Sequence, residues 1–179
     1  MTNTRLIEFT PIGVVHSPAL EPVDNVWGGI KCRIDLDSSR FTPESLRGLD
    51  DFSHVEVVFF FHRVPESEIE TGSRYPRNRP GSPGVGIFAQ RGKARPNRIG
   101  VTICRLLSAK DLSLEVVGLD AIDGTSVLDI KPYMREFAAR GKYANPNGSM
   151  NSCAVIGKIP GSADRASFGT TLSATRSYR

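Results

Sequence analysis

Two segments of this 179-residue chain concentrate side chains able to do chemistry. The first runs Phe88-Ala89-Gln90-Arg91-Gly92-Lys93-Ala94-Arg95-Pro96-Asn97-Arg98-Ile99-Gly100 and carries four cations. Pro96 fixes φ, Asn97 tolerates unusual turns, and Gly92 and Gly100 let backbone approach closely. A guanidinium on such a stiff loop grips a carboxylate or phosphate through two parallel hydrogen bonds. The second segment, Gly118 to Tyr133, sets Asp120, Asp123, Asp129, Lys131 and Tyr133 around a turn between two strands. The plainer reading is a β-turn in which Asp123-Gly124 only makes the bend. His62 closes an apolar run and is balanced between a structural and a functional reading, whereas His54 beside the same run reads as structural.

The net charge of +4 conceals an asymmetry. Between Thr71 and Lys110 there is no Asp or Glu, yet the window holds Arg74, Arg77, Arg79, Arg91, Lys93, Arg95, Arg98, Arg105 and Lys110. The rest of the chain carries 14 basic residues against 19 acidic. A cationic block of this kind faces an anionic partner, most commonly nucleic acid, or is simply a solvated basic face. The glycines and prolines between Gly72 and Gly86 argue against a helical charge run.

Familiar fingerprints are missing. The glycines Gly81, Gly84 and Gly86 do not form GxGxxG, and there is no P-loop, GxSxG or HExxH. Cys32, Cys104 and Cys153 are odd in number and widely spaced, and no CxxC occurs. The expectation is reduced thiols, no metal site and a cytoplasmic setting. No apolar run is long enough to span a membrane, and the N-terminus lacks the pattern of a secretory signal.

The elements that must hold these segments are mostly strands. Ile30 to Leu36 alternates apolar and polar residues. Val55 to Phe61 reads as a strand buried on both faces or at a barrel seam. Val101–Leu107 and Leu112–Leu119 are further strands joined by a turn at Ala109-Lys110-Asp111, Val127–Ile130 is another, and Ile7–Val15 opens the sheet. Thr42 to Gly48 suits a helical turn, with Thr42 as N-cap and Pro43 in the first position. Met134 to Arg140 suits a short helix. The fold class expected is mainly β, a small antiparallel β-barrel with one or two short helices and an irregular C-terminal tail. The domain boundary falls at residues 5–135, and 136–179 form a tail that is flexible or swapped.

Taken together, the two segments resemble the TsaA/TrmO-like family, whose motifs run FATRSPxRPNPIG and LDxxDGTPVLDIKPY. Ile12-Gly13-Val14-Val15-His16-Ser17-Pro18 and Asp51-Phe52-Ser53-His54 with Phe60-Phe61-His62 resemble the same family, so the likeness covers about residues 7–133. It implies a small barrel that binds S-adenosylmethionine outside a Rossmann framework. It also implies a homodimer with the cofactor near the subunit interface, and N6-methylation of threonylcarbamoyladenosine at position 37 of transfer RNA. The sequence departs at Gln90, Gly92-Lys93, Arg98 and Ser126, and Pro22-Val23-Asp24-Asn25 stands where tRNA-modifying members carry Pro-Arg-Gln.

By position, the resemblance implies that His62, Arg63, Phe88, Ala89, Arg91, Leu119, Asp120, Ala121, Ile122 and Asp123 bind the cofactor. Asp123, His62 and Tyr133 are the candidates for general base or orienting group. Arg77, Lys93, Arg95, Asn97, Arg98 and Lys131 are the expected RNA contacts, with Lys93, Arg95 and Arg98 free to face it. The other readings are a methyl acceptor that is a small molecule or protein, and a non-catalytic module that binds the cofactor or RNA. The single tryptophan, Trp27, suits a core or dimer anchor as well as it suits a base-stacking platform.

Overall fold

The computed structural model describes residues 5–22, 27–75, 84–142 and 144. Six strands close into an antiparallel barrel: β1 (Gly13–His16), β2 (Lys31–Leu36), β3 (His54–Phe60), β6 (Ile99–Lys110), β7 (Ser113–Val117) and β8 (Ser126–Pro132). Their order around the barrel is β1-β2-β7-β6-β3-β8. A two-stranded ribbon, β4 (Ser73–Arg74) with β5 (Val85–Gly86), stands apart from it.

Alternation builds the barrel. In β2, Cys32 and Ile34 point inward and Lys31 and Arg33 outward. In β6, Gly100, Thr102, Cys104 and Leu106 line the interior until a bulge between Leu106 and Ser108 resets the register against β7. Val15, Ile34, Val55, Val57, Phe59, Leu114, Val116 and Val127 fill the rest of the interior, as side chains must in so small a barrel. Cys32 and Cys104 are buried free thiols, in keeping with the reduced state expected. Burial is the main cause that pushes the Cys104 thiol up to about 12. Burial also raises Cys32, against the pull of the Ser17 hydroxyl to which it donates. Cys153 lies outside the described residues.

Four sequence expectations change. Strand β3 is not buried on both faces: Val55, Val57 and Phe59 are buried, while Glu56, Val58 and Phe60 are half-buried. It is flanked on both edges, by β6 and β8, but covered on one face. The sheet opens at Gly13, not Ile7. The β6–β7 turn falls on Asp111-Leu112, both in the left-handed region (φ 48 and 64), which suits the twist of a tight hairpin better than Ala109-Lys110-Asp111. The helices are single 3-10 turns: Pro43–Leu46 with Pro43 leading, as expected, and only Arg135–Phe137 within the expected Met134–Arg140 helix. Nearly all of the expected tail lies outside the described residues.

The barrel has two unlike ends. At one, the turns Pro43–Leu46 and Leu49–Asp51 pack Leu46 into the core beside an apolar recess of about 340 Å³ lined by Ile12, Leu36, Phe52 and Ile130. At the other end, the polar segments converge.

Candidate functional site

The convergence follows from strand register. Strand β1 pairs with both β2 and β8, so the chain leaving β1 at His16 meets the chain entering β8. The N–H groups of Asp123 and Gly124 donate to the carbonyls of Ala19 and Val15, and that of Val15 donates to Thr125. Ser17 N–H in turn donates to Asp123 Oδ1 at 3.0 Å. Gly124 holds φ +75, a conformation that favours glycine, and a Cβ there would lie 4.0 Å from His62 Nε2. His62 thus lies beside the Asp123-Gly124 turn at this end.

Leu119 is buried in the core and anchors the turn, with Ala121 packed against the same cluster. Ile122 accepts the Thr125 N–H. Asp120 is half-buried and engaged with neighbouring groups. His62 is half-buried, and burial first, then the positive charge of Arg63, hold its imidazole below the ordinary 6.5. It is therefore neutral at neutral pH and able to accept a proton. Arg63 reaches Glu21 at 2.9 Å.

The cationic loop is fastened to the same end. Phe61 N–H donates to the Arg98 carbonyl. Arg98 Nη1 donates to Val64 O at 2.9 Å, and its guanidinium lies 4.7 Å from the centre of the Phe60 ring. Arg98 is thus a clamp and not the free RNA contact expected of it. Its φ of 51 is closed to proline, so the departure from the family motif at this position goes with a different turn. Arg95 donates to Gln90 O at 3.2 Å and is half-buried, so it too serves the loop itself. Arg91 donates to Val101 O at 2.7 Å. Lys93 is engaged, and Asn97 is exposed. Phe88 stands on the turn Ile87–Ala89 with 78% of its surface exposed, beside exposed Ala89. Gln90 ties this turn to the ribbon through Arg74 O and Val85 O.

Tyr133 does not join the site within one chain. Its N–H donates to His54 O at the start of β3, and the His54 and Tyr133 rings meet edge-on at 6.5 Å. His62 follows the other end of that strand, eight residues on, or roughly 26 Å at about 3.3 Å per residue. Of the three candidates for general base or orienting group, only Asp123 and His62 lie at the same barrel end. Lys131 lies toward the Tyr133 end, paired with Asp129 on β8 and in register with Glu56. It is therefore remote from the cationic loop. Arg77 lies outside the described residues. His16, Ser17 and Asp35 were not foreseen as site residues. The Ile12–Pro18 motif was the signal, but the pairing that brings it to Asp123 joins residues more than a hundred positions apart.

Two observations bear on whether a sulfonium cofactor with a carboxylate tail fits here. Arg74 Nε is buried without a hydrogen-bond partner, and a Cβ on Gly92 would come within 3.1 Å of Arg74 Nη2. A guanidinium under a glycine fits a carboxylate. The exposed Phe88 ring fits a cation. Among the described residues no group of three or more His, Cys, Asp or Glu is arranged to hold a metal.

Comparison with known proteins gives the same direction. The profile of the tRNA-methyltransferase O N-terminal domain matches residues 22–139. A Pyrococcus abyssi protein named "Probable S-adenosyl-L-methionine-binding protein" is 35% identical over 143 residues, 78% of this chain and 75% of the relative. The Escherichia coli tRNA (adenine(37)-N6)-methyltransferase is 36% identical over 136 residues, 71% of this chain and 57% of the relative. A crystal structure of TrmO from Pseudomonas aeruginosa superposes with a TM-score of 0.64 at 29% identity, covering 80% of this chain and 63% of that one.

Proposed function

The chain belongs to the tRNA-methyltransferase O N-terminal domain family, and on that premise we propose that it is an S-adenosylmethionine-dependent methyltransferase acting on N6 of threonylcarbamoylated adenosine in transfer RNA. One observation carries the reading: an imidazole held below its ordinary 6.5 lies beside the turn that carries Asp123, at the same barrel end as a cationic loop whose arginines donate to main-chain carbonyls. A carbonyl satisfies the donor without cancelling the charge, so the loop's field remains available to a polyanion.

S-adenosylmethionine supplies an electrophilic methyl group on a sulfonium. Arg74 or Arg91 would hold its carboxylate, Phe88 would face the sulfonium, and the backbone of Leu119–Asp123 with Asp120 would hold the nucleoside end. The acceptor nitrogen is delocalised into a neighbouring carbonyl, so the protein must align it and then take its proton. His62 Nε2 is the proton acceptor in this reading and Asp123 orients the acceptor. Lys93 and Asn97 are the RNA contacts in this reading; Arg95 and Arg98 contribute charge from within the loop.

The family resemblance and the outward-facing Val101, Ile103 and Leu107 of β6, all exposed, support a homodimer. No helix among the described residues is long and apolar enough to cross a membrane, and a transfer-RNA substrate supports a cytoplasmic setting. The 5–135 domain would carry the chemistry.

Incubation with methyl-labelled S-adenosylmethionine should label threonylcarbamoylated transfer RNA and leave the unmodified form unlabelled. Binding of single-stranded RNA through about five cations should weaken with salt at a log–log slope near −3.5. Sedimentation of the same sample should give the mass of two chains. Label in neither RNA sinks the RNA reading, and cofactor binding without transfer would leave a binding module.

A further inference from the structure

His16 stands between two carboxylates. Its Nε2 lies 3.1 Å from Asp35 Oδ2, and its Nδ1 lies 4.0 Å from Asp123 Oδ1. Asp35 is itself held from two sides: Arg33 Nη2 is 3.0 Å from Oδ2, and Ser113 Oγ donates to Oδ1 at 2.8 Å. Asp123 Oδ1 also takes the Ser17 N–H. A continuous chain of contacts thus runs from β7 and β2, through the imidazole on β1, to the turn before β8.

A histidine beside one carboxylate on a surface is unremarkable and contributes little. Opposite partners on the two ring nitrogens are a different arrangement. The bond made by one nitrogen fixes the orientation of the ring and what the other presents. Asp35, braced by Arg33 and Ser113, sets the plane of the ring. The 4.0 Å approach to Asp123 is too long for a direct hydrogen bond and short enough for one bridging water.

We propose that His16, oriented by Asp35, is a positioning residue that holds the Asp123 turn over the barrel end. The proposal rests on the reading of that turn as a wall of the cofactor site, but its first test does not use the cofactor. In the free protein, His16→Ala should speed amide exchange at Asp123 and Gly124 by about threefold to tenfold, the lower part of the range for coupling between neighbouring groups. Core amides such as Val57 should be unchanged. Asp35→Asn should act in the same direction, and should add little in a chain that already carries His16→Ala. His16→Asn keeps an amide near the place of Nδ1 and should retain more protection than His16→Gln, which reaches only toward Asp35. Unchanged exchange at Asp123 and Gly124, or equal acceleration across the core, overturns the proposal. With S-adenosylmethionine, His16→Ala should raise KM for the cofactor by a similar factor. A wild-type protein that binds no S-adenosylmethionine would remove the site reading and leave the exchange result to judge His16 alone.

Discussion

Gly100→Val should lower the free energy of unfolding by about 3 kcal/mol, the upper part of the range for overpacking a closed core. Gly100 faces the barrel interior opposite Phe59 in the β3–β6 register. A Cβ there would run into the Phe59 ring and come within 2.9 Å of Phe61 Cζ. Phe59 is 1% exposed and meets Phe61 edge-on at 5.3 Å, so the Phe59 ring has no room to withdraw. For a chain of this size the loss corresponds to a fall in Tm of roughly 6–12 °C. The mechanism has its own control. Phe59→Ala alone should cost about 3–5 kcal/mol through the cavity it leaves. In the double variant the valine partly fills that cavity, so the combined cost should fall short of the sum by at least about 0.5 kcal/mol. Additive losses in urea titrations would show that Gly100 does not answer to the Phe59 ring. Because Phe61 N–H holds the Arg98 carbonyl, the single variant should also loosen the cationic loop.

The barrel was legible because its cause is local. Lys31 to Leu36 alternates in the sequence and alternates in burial, and the apolar side of each strand needs a partner face. The turn at Asp123-Gly124 was equally legible, since the glycine takes a conformation few other residues accept. The site was legible only in part, for a geometrical reason. Gly118 to Tyr133 was read as one cluster around a turn, yet it contains the whole of β8. A strand of seven residues spans roughly 23 Å at 3.3 Å per residue. Asp123 and Tyr133 therefore had to lie at opposite ends of the barrel. The arginines misled for another reason. With no Asp or Glu in their window, they satisfy themselves on carbonyls, and Arg98 spends its side chain on Val64 and Phe60. Composition reports the charge of such a loop and not which way each side chain faces. The network of His16, Asp35 and Asp123 was hidden because it is assembled by pairing across strands distant in sequence.

His62→Ala should reduce methyl transfer by about 10²-fold or more at neutral pH, the contribution of a positioned proton acceptor. Thermal stability should change little, since the residue is half-buried at the end of the barrel. The pH dependence identifies the role. Burial and the Arg63 charge lower the His62 pKa from its ordinary 6.5, so the acid limb of kcat/KM should fall below that value. The stability sign follows from the same shift. As pH drops below about 6.5 the unfolded chain takes up a proton that the folded His62 refuses, so folding loses stability there, and above 6.5 the residue contributes no pH dependence. Arg63→Gln removes the second and smaller cause of the shift. It should move the acid limb upward without abolishing it, because desolvation remains. Arg63→Gln also frees Glu21, its ion-pair partner at 2.9 Å, so Glu21→Gln serves as the control and should leave the limb in place. His62→Asn should erase the limb altogether. If His62→Ala retains transfer within twofold, or the limb survives in His62→Asn, the proton passes elsewhere, and Asp123, across the turn, becomes the group to replace next.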